Sequence, residues 1–250
     1  MSVIYWFSGT GNSLYAARGI AKALGNTALY PIGLGVPAQA VGGEGEKIGF
    51  VFPSYYGNLP RAVGSFVENM EILPDTWIFA VVTMGGLGHG SLSALETVLA
   101  KKSLKLNYGR GLLMRGNYVV MYNPADGEKY GKKISGTDKK IQKISSEIAS
   151  GKNSIKSFRF IADNLYKNTE SLDSAFYADD SCTGCGQCAK ICPVSNIILN
   201  NKKPQWLHKC EHCVACISWC PAKAIQYGEK TKTRRRYRNP KISVNDLFIR

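Results

Sequence analysis

Cys182-Thr183-Gly184-Cys185-Gly186-Gln187-Cys188-Ala189-Lys190-Ile191-Cys192-Pro193 returns 28 positions on as Cys210-x-x-Cys213-x-x-Cys216-x-x-x-Cys220-Pro221. All eight cysteines of the 250-residue chain fall in these two runs, and Ile197 maps onto Ile225 in the same register. A register kept over four cysteines and a proline is an internal repeat. Three thiolates so spaced hold three corners of a 4Fe–4S cube, and the fourth cysteine of each run completes the other cube. One cube is assigned to Cys182, Cys185, Cys188 and Cys220, the other to Cys210, Cys213, Cys216 and Cys192. Two rival uses remain. A disulfide framework belongs to small secreted chains. Here the block follows a long cysteine-free stretch whose start, Met1–Phe7, has neither the basic region nor the apolar length of an export signal. Structural zinc is the nearer rival, because paired C-x-x-C suits a tetrahedral ion. Zinc does not ask for the third cysteine or the proline.

The rest of the chain is long enough for a hydrophobic core of its own. Reduced cysteine chemistry without an export signal points to a cytoplasmic protein from an organism that keeps oxygen low. No apolar run approaches the ~18 residues that span a bilayer. Ahead of the cysteines, apolar runs alternate with helical patterns, the sign of parallel strands joined by crossover helices. Strands are predicted at Val3–Phe7, Ala28–Pro31, Lys47–Phe52, Trp77–Met84 and Leu112–Tyr122. Helices are predicted at Asn12–Leu24, Leu59–Met70, Ser91–Lys101 and Lys133–Ser150. The expectation is a doubly wound α/β sheet of five parallel strands, with ligands outside the strands' carboxyl ends.

Three loops fall at those ends. Ser8-Gly9-Thr10-Gly11-Asn12-Ser13 combines small residues and hydroxyls with a helix N-terminus, a combination that suits a phosphate. Pro53-Ser54-Tyr55-Tyr56-Gly57-Asn58 brings aromatic rings. Thr83-Met84-Gly85-Gly86 opens a glycine-rich run whose backbone a flat ring can approach closely. A Walker loop needs Gly-Lys-Ser/Thr, which is missing here. A dinucleotide fingerprint needs a third glycine, where Leu14 stands, and an acid some 20 residues on, whereas the first acid of the chain is Glu44. One terminal phosphate and a planar ring, as in flavin mononucleotide (FMN), fit better.

These three loops resemble those of flavodoxins over roughly residues 1–150, and residues 175–228 resemble a bacterial two-cluster ferredoxin, with short strands at Ala175–Ala178 and Pro204–Leu207. Together they resemble the flavodoxin–ferredoxin fusion proteins of anaerobic archaea and bacteria. Met114-x-x-Asn117-Tyr118 is similar to a segment of that family, with Arg115 where proline is expected. The resemblance implies a flavodoxin-like unit over 1–152, a connection over 153–174, a small α+β ferredoxin unit over 175–228 and a basic extension over 229–250. It further implies FMN and two 4Fe–4S clusters. Ser8, Thr10, Asn12 and Ser13, with the amides of Gly9 and Gly11, would hold the phosphate. Tyr55 or Tyr56 would stack on the ring, and Gly85 and Gly86 would face its edge.

The formal net charge is +14, and seven lysines and arginines against one glutamate sit in Gly228–Lys241. Bound clusters and a phosphate offset part of that excess. The segment reads as a solvated strap or charge compensation, with an acidic redox partner such as a ferredoxin as a second use and nucleic acid as a third. Ser243-x-x-Asp246 reads as a helix cap. Ile155, Phe158, Ile161, Ala162 and Leu165 outline one apolar helical face, read as a docking helix. His212, inside Cys210-x-x-Cys213, reads either as solvated or as a hydrogen-bond donor to a cluster. No serine–histidine–acid set is visible, so no catalytic residue is named. The implied role is electron transfer between one-electron carriers and FMN, as oxidoreductase (on a small-molecule acceptor) or as carrier. A cluster-based sensor is the alternative.

Overall fold

Alternation along the first strand sets the layers. In β1 (Ser2–Trp6), Ile4 and Trp6 are buried on one side of a sheet, while Tyr5, with Phe7 just beyond, is buried on the other. The computed structural model describes residues 2–86, 88–124, 136–156 and 173–248. Five further strands join β1: β2 (Thr27–Pro31), β3 (Lys47–Pro53), β4 (Trp77–Met84), β5 (Tyr108–Leu113) and β6 (Ser154–Ile155). Their order is β2-β1-β3-β4-β5-β6, with every neighbour parallel. This is the flavodoxin-like order with one short strand added at the edge. Helices α1 (Asn12–Leu24) and α4 (Thr137–Ala149) bury Leu14, Ile20, Ile141 and Ile148 on one face. On the other, α2 (Arg61–Asn69) and α3 (His89–Ala100) bury Val63, Phe66, Leu95 and Leu99. Both faces covered is what a parallel sheet requires, and it explains the near-continuous apolar run of β4.

Three expectations change. The fifth strand is Tyr108–Leu113, not Leu112–Tyr122. It carries Arg110 in a buried position, which hides it from a hydropathy reading. The charge is met by Glu147 at 2.8 Å and by the carbonyls of Gly109 and Ser154. Residues 114–124, freed from the sheet, form a loop over the strand ends. Second, the helix expected from Lys133 begins at Thr137, with residues 133–135 outside the described range. Third, Ile155 of the expected docking helix lies in β6, because its backbone continues the sheet beside Gly109. The rest of that helix, from Phe158 on, lies outside the described residues.

The cysteine repeat folds as two small antiparallel pairs. β7 (Phe176–Ala178) pairs with β10 (Ile225–Tyr227), and β8 (Ile197–Asn200) with β9 (Lys203–Trp206). The β8–β9 turn is made by Asn201 and Lys202, both at positive φ (47 and 61°), the mirror-image turn that matches strand twist. Short helices α5 (Gln187–Lys190) and α6 (Ala215–Trp219) occupy equivalent places in the two halves. The small core of Phe176, Ile197, Val214, Ile217 and Ile225 closes around the thiols. The larger core does not stop at the boundary: Cys213, Ala215 and Trp219 pack into the layer of β1 and α1.

Candidate functional site

The carboxyl ends of β1, β3 and β4 open on a cavity. Its walls are Ser8, Gly9, Thr10, Asn12, Ser13, Pro53, Ser54, Tyr55, Thr83, Met84 and Gly85, all expected, together with Arg115 and Asn117. Asn117 was signalled by its motif. Arg115 adds a guanidinium that the reading of the loops passed over; it donates to Pro124 O at 2.8 Å and lies 5.3 Å over the Tyr237 ring. Other expected residues stand outside the lining. Gly11 adopts φ 97° to start α1 and is crowded by Asn239 and Ile242, so it serves the turn. Gly57 (φ 79°) and Asn58 close a tight turn on Tyr55, with Asn58 Oδ1 accepting from Leu59 N at 2.8 Å. Gly86 is exposed beyond the rim. Tyr56, the alternative to Tyr55, turns away to another partner.

The loop is braced so that its backbone faces the cavity. Ser8 Oγ accepts from Gly11 N at 3.1 Å, and Ser13 Oγ meets Thr83 Oγ1 at 2.7 Å. Asn117 Nδ2 donates to Thr10 Oγ1. The carbonyls of Gly9 and Thr10 accept from Trp219 Nε1 (3.0 Å) and Asn239 N (2.8 Å), residues that do not line the cavity. No side chain caps α1 and no acid sits in its first turn. Amides at a helix start without a cap, with an arginine beside them, fit a phosphate group.

The thiols gather in two cavities, each with four. Cys182, Cys185, Cys188 and Cys220 line one; Cys192, Cys210, Cys213 and Cys216 line another. This is the partition expected from the spacing, including the exchange of Cys192 and Cys220. None of the eight is in a disulfide. Asn196 N donates to Cys192 Sγ at 3.2 Å and His212 N to Cys210 Sγ at 3.3 Å, the polar support that metal-bound sulfur takes. Burial pushes the Cys188 thiol up to about 11 and that of Cys210 to about 12, and holds Cys213 and Cys216 well above the free-thiol range. Without a metal these sulfurs stay protonated at neutral pH. Iron must displace the protons and supply the balancing charge. A donor set of four sulfurs per cavity fits an iron–sulfur cluster.

The thiol cavities stand at different depths. Cys210, Cys213 and Cys216 are buried against the sheet unit, whereas Cys185 is exposed. A Cβ added to Gly9 would lie 2.2 Å from the Cys213 carbonyl oxygen, so only glycine lets the two loops touch there. Nearby, Tyr56 and Tyr118 hydroxyls meet His212 Nδ1 at 2.9 and 2.7 Å and also meet each other. His212 is buried, so the solvated reading falls; two tyrosines distant in sequence enclose it. Burial, first among the causes, raises both tyrosine pKa values. Glu211 reaches across to accept from Arg61 N and Ala62 N, each at 3.1 Å, at the open N-terminus of α2.

The basic segment is bound, and its side chains alternate. Arg234 donates to Val119 O and Val120 O, Arg236 to Ile225 O and Gln226 Oε1, and Arg238 to Ser218 O. On the opposite side Tyr237 Oη and Asn239 Nδ2 both donate to Asn12 Oδ1, at 2.8 and 3.0 Å. Arg236 and Arg238 thus grip the cysteine unit, Arg234 the loop over the strand ends, and Tyr237 and Asn239 the phosphate loop. Ser243 N and Oγ both donate to Asp246 Oδ2 at 2.8 Å, and Arg18 pairs with Asp246 at 2.7 Å; the expected helix cap is instead a short 3-10 turn, Asn245–Leu247, that follows Val244 and has no side-chain cap.

Comparison with known proteins bears on this architecture. The 4Fe-4S dicluster domain family matches residues 174–221. No curated protein matches the chain. Among solved structures, a protein from Bacteroides eggerthii described as a flavoprotein is 22% identical, with 44% of this chain and 87% of that one covered at a TM-score of 0.34. An FMN-dependent NADH-azoreductase from Bacillus anthracis in complex with FMN is 10% identical over 59% of this chain and 98% of that one, at a TM-score of 0.39. At those scores the sheet order decides the fold, and the likenesses add nothing to it. No helix among the described residues is long and apolar enough to cross a membrane. With a flavodoxin-like sheet leading into a 4Fe-4S dicluster domain, the chain is built as a flavodoxin–ferredoxin fusion.

Proposed function

We propose that this protein transfers electrons between one-electron carriers and FMN through two 4Fe–4S clusters. The observation that carries the reading is the wall shared by the two sites: the phosphate-type loop at Gly9 rests directly on Cys213 of the inner thiol cavity. When bound, FMN exchanges one or two electrons and each cluster exchanges one. The residues of the chain bind, position and insulate. Residues 1–152 are assigned to the flavin unit and 175–228 to the clusters. Ser8–Ser13 would take the phosphate with backbone amides, aided by Arg115, and Tyr55 would cover the ring. Met84 and Gly85 line the same cavity as Tyr55. Cys192, Cys210, Cys213 and Cys216 would hold the inner cluster beside the flavin. Cys182, Cys185, Cys188 and Cys220 would hold the outer one near solvent.

Anaerobic purification should yield about eight iron, eight sulfide and one FMN per chain. A colourless preparation loaded with zinc overturns the reading. Stopped-flow mixing with a reduced carrier should bleach cluster and flavin absorbance in succession; turnover of an added small acceptor then marks an enzyme, and reduction without turnover a carrier. The sensor reading finds less support, since Arg234, Arg236 and Arg238 are held by carbonyls of the chain itself.

A further inference from the structure

Three thiols of the inner set, Cys210, Cys213 and Cys216, are buried, so the surface is reached through the outer set. Cys185 of that set is exposed, with Thr183 and Pro221 beside it at the rim. Leu199 forms part of the lining, and it and its neighbour Ile198 remain 41% and 46% exposed.

The charges around this spot are mostly of one sign. Lys202 packs its Cα and Cβ against Gly184 of the lining. Lys190 ends α5, which carries Cys188, and Lys223 follows Ala222 of the lining; all three are exposed. Lys203 is exposed too, its ammonium on the Asp179 carbonyl at 3.2 Å. Two acids lie near. Asp179 is tied by Ser181 and Gln226, and Asp180 is exposed. Four lysines against those two acids leave the rim positive. The basic strap adds to the net charge yet spends three arginines internally, so the docking charge lies on the cysteine unit and not on the tail.

We propose that the rim of the outer thiol cavity, centred on Cys185 and Leu199 and ringed by Lys190, Lys202, Lys203 and Lys223, docks a small acidic one-electron carrier protein. The proposal rests on the electron-transfer reading above and names its point of entry. Each encounter would move one electron, oxidising the carrier by one and reducing by one the cluster that Cys182, Cys185, Cys188 and Cys220 would hold. No proton or atom is transferred. An apolar centre sets the contact and the lysine ring steers the approach, which acts on the association rate and makes it fall with salt.

The test uses the holoprotein, a reduced acidic ferredoxin as protein donor, and reduced methyl viologen as a small donor without carboxylates. In the double variant Lys190→Glu/Lys202→Glu, the second-order rate with the ferredoxin should fall by about tenfold or more at low salt, and its salt dependence should flatten. The methyl viologen rate should not fall, since that donor is itself a cation. A control reversal on the sheet unit, Lys105→Glu, should leave both rates unchanged. An unchanged ferredoxin rate in the double variant overturns the docking site, as does an equal loss in Lys105→Glu. A wild-type ferredoxin rate indifferent to salt overturns it without any variant. Competition by a short oligonucleotide stronger than by oxidised ferredoxin would assign the rim to nucleic acid instead. If methyl viologen itself reduces no flavin in the wild type, the electron-transfer reading fails, a result distinct from failure of the docking surface.

Discussion

Arg236 shows how one side chain can matter to two sites. Its Nη2 is used by Ile225 and Gln226, while Nε and Nη1 are buried without a partner. Burial lowers its pKa, and Cys220 and Cys216, one from each thiol set, pull the other way. Such a cation stabilises added negative charge. Arg236→Gln should make both cluster potentials more negative, by on the order of 1 kcal/mol or roughly 40 mV for one electron. Arg236→Lys should restore most of it. Titration followed by electron paramagnetic resonance reads the shift, and equal potentials in all three proteins would remove the role. Little of this was legible in advance. Arg236 belongs to a basic run that looks uniform in sequence, and which arginines turn inward depends on carbonyls at Val119, Ser218 and Ile225.

The elements differ in how openly the chain announces them. α1 runs from Asn12 to Leu24 as its apolar spacing predicts, because one stripe faces the sheet. β5 was misplaced because its decisive partner, Glu147, lies on α4. Tyr108 first, then Lys152 and Arg110, hold the Glu147 carboxyl down to about 2. A carboxyl lowered in the folded state stabilises it fully above the usual carboxylate range. That contribution fades as pH falls from about 4.5 through 2. Glu147→Gln should therefore be less stable than wild type at neutral pH, with the gap closing as the solution is acidified. Circular dichroism at a series of pH values measures that difference, and a gap that widens in acid contradicts it. The cysteine runs lie at the other extreme: cluster geometry imposes their spacing, so both thiol sets were legible. The phosphate-type loop was legible too, whereas His212, closed in by Tyr56 and Tyr118 from afar, was not.

Across the whole molecule, the strap joins what the two units would otherwise do separately. Tyr237 and Asn239 fix Asn12, and Asn12 Nδ2 donates to Arg115 O at 3.1 Å, so the strap orders both sides of the phosphate-type cavity. The double variant Tyr237→Phe/Asn239→Ala should release FMN up to about thirtyfold more readily, since two hydrogen bonds of about 1 kcal/mol each are lost. Flavin fluorescence on dilution measures this, and iron content should stay at the wild-type level. Unchanged flavin retention would confine the strap to holding the units together.

Asn12 and Asn239 lie 227 positions apart along the chain, and this has a consequence for biosynthesis. As the ribosome extends the chain, the nucleotide-type loop emerges early and stays uncovered until the distal arginine-rich stretch has been translated and folded back. Nascent chains can therefore display a finished sheet yet keep cofactor only weakly. Maturation of the cavity at the strand ends becomes a late event, timed by completion of the cysteine module.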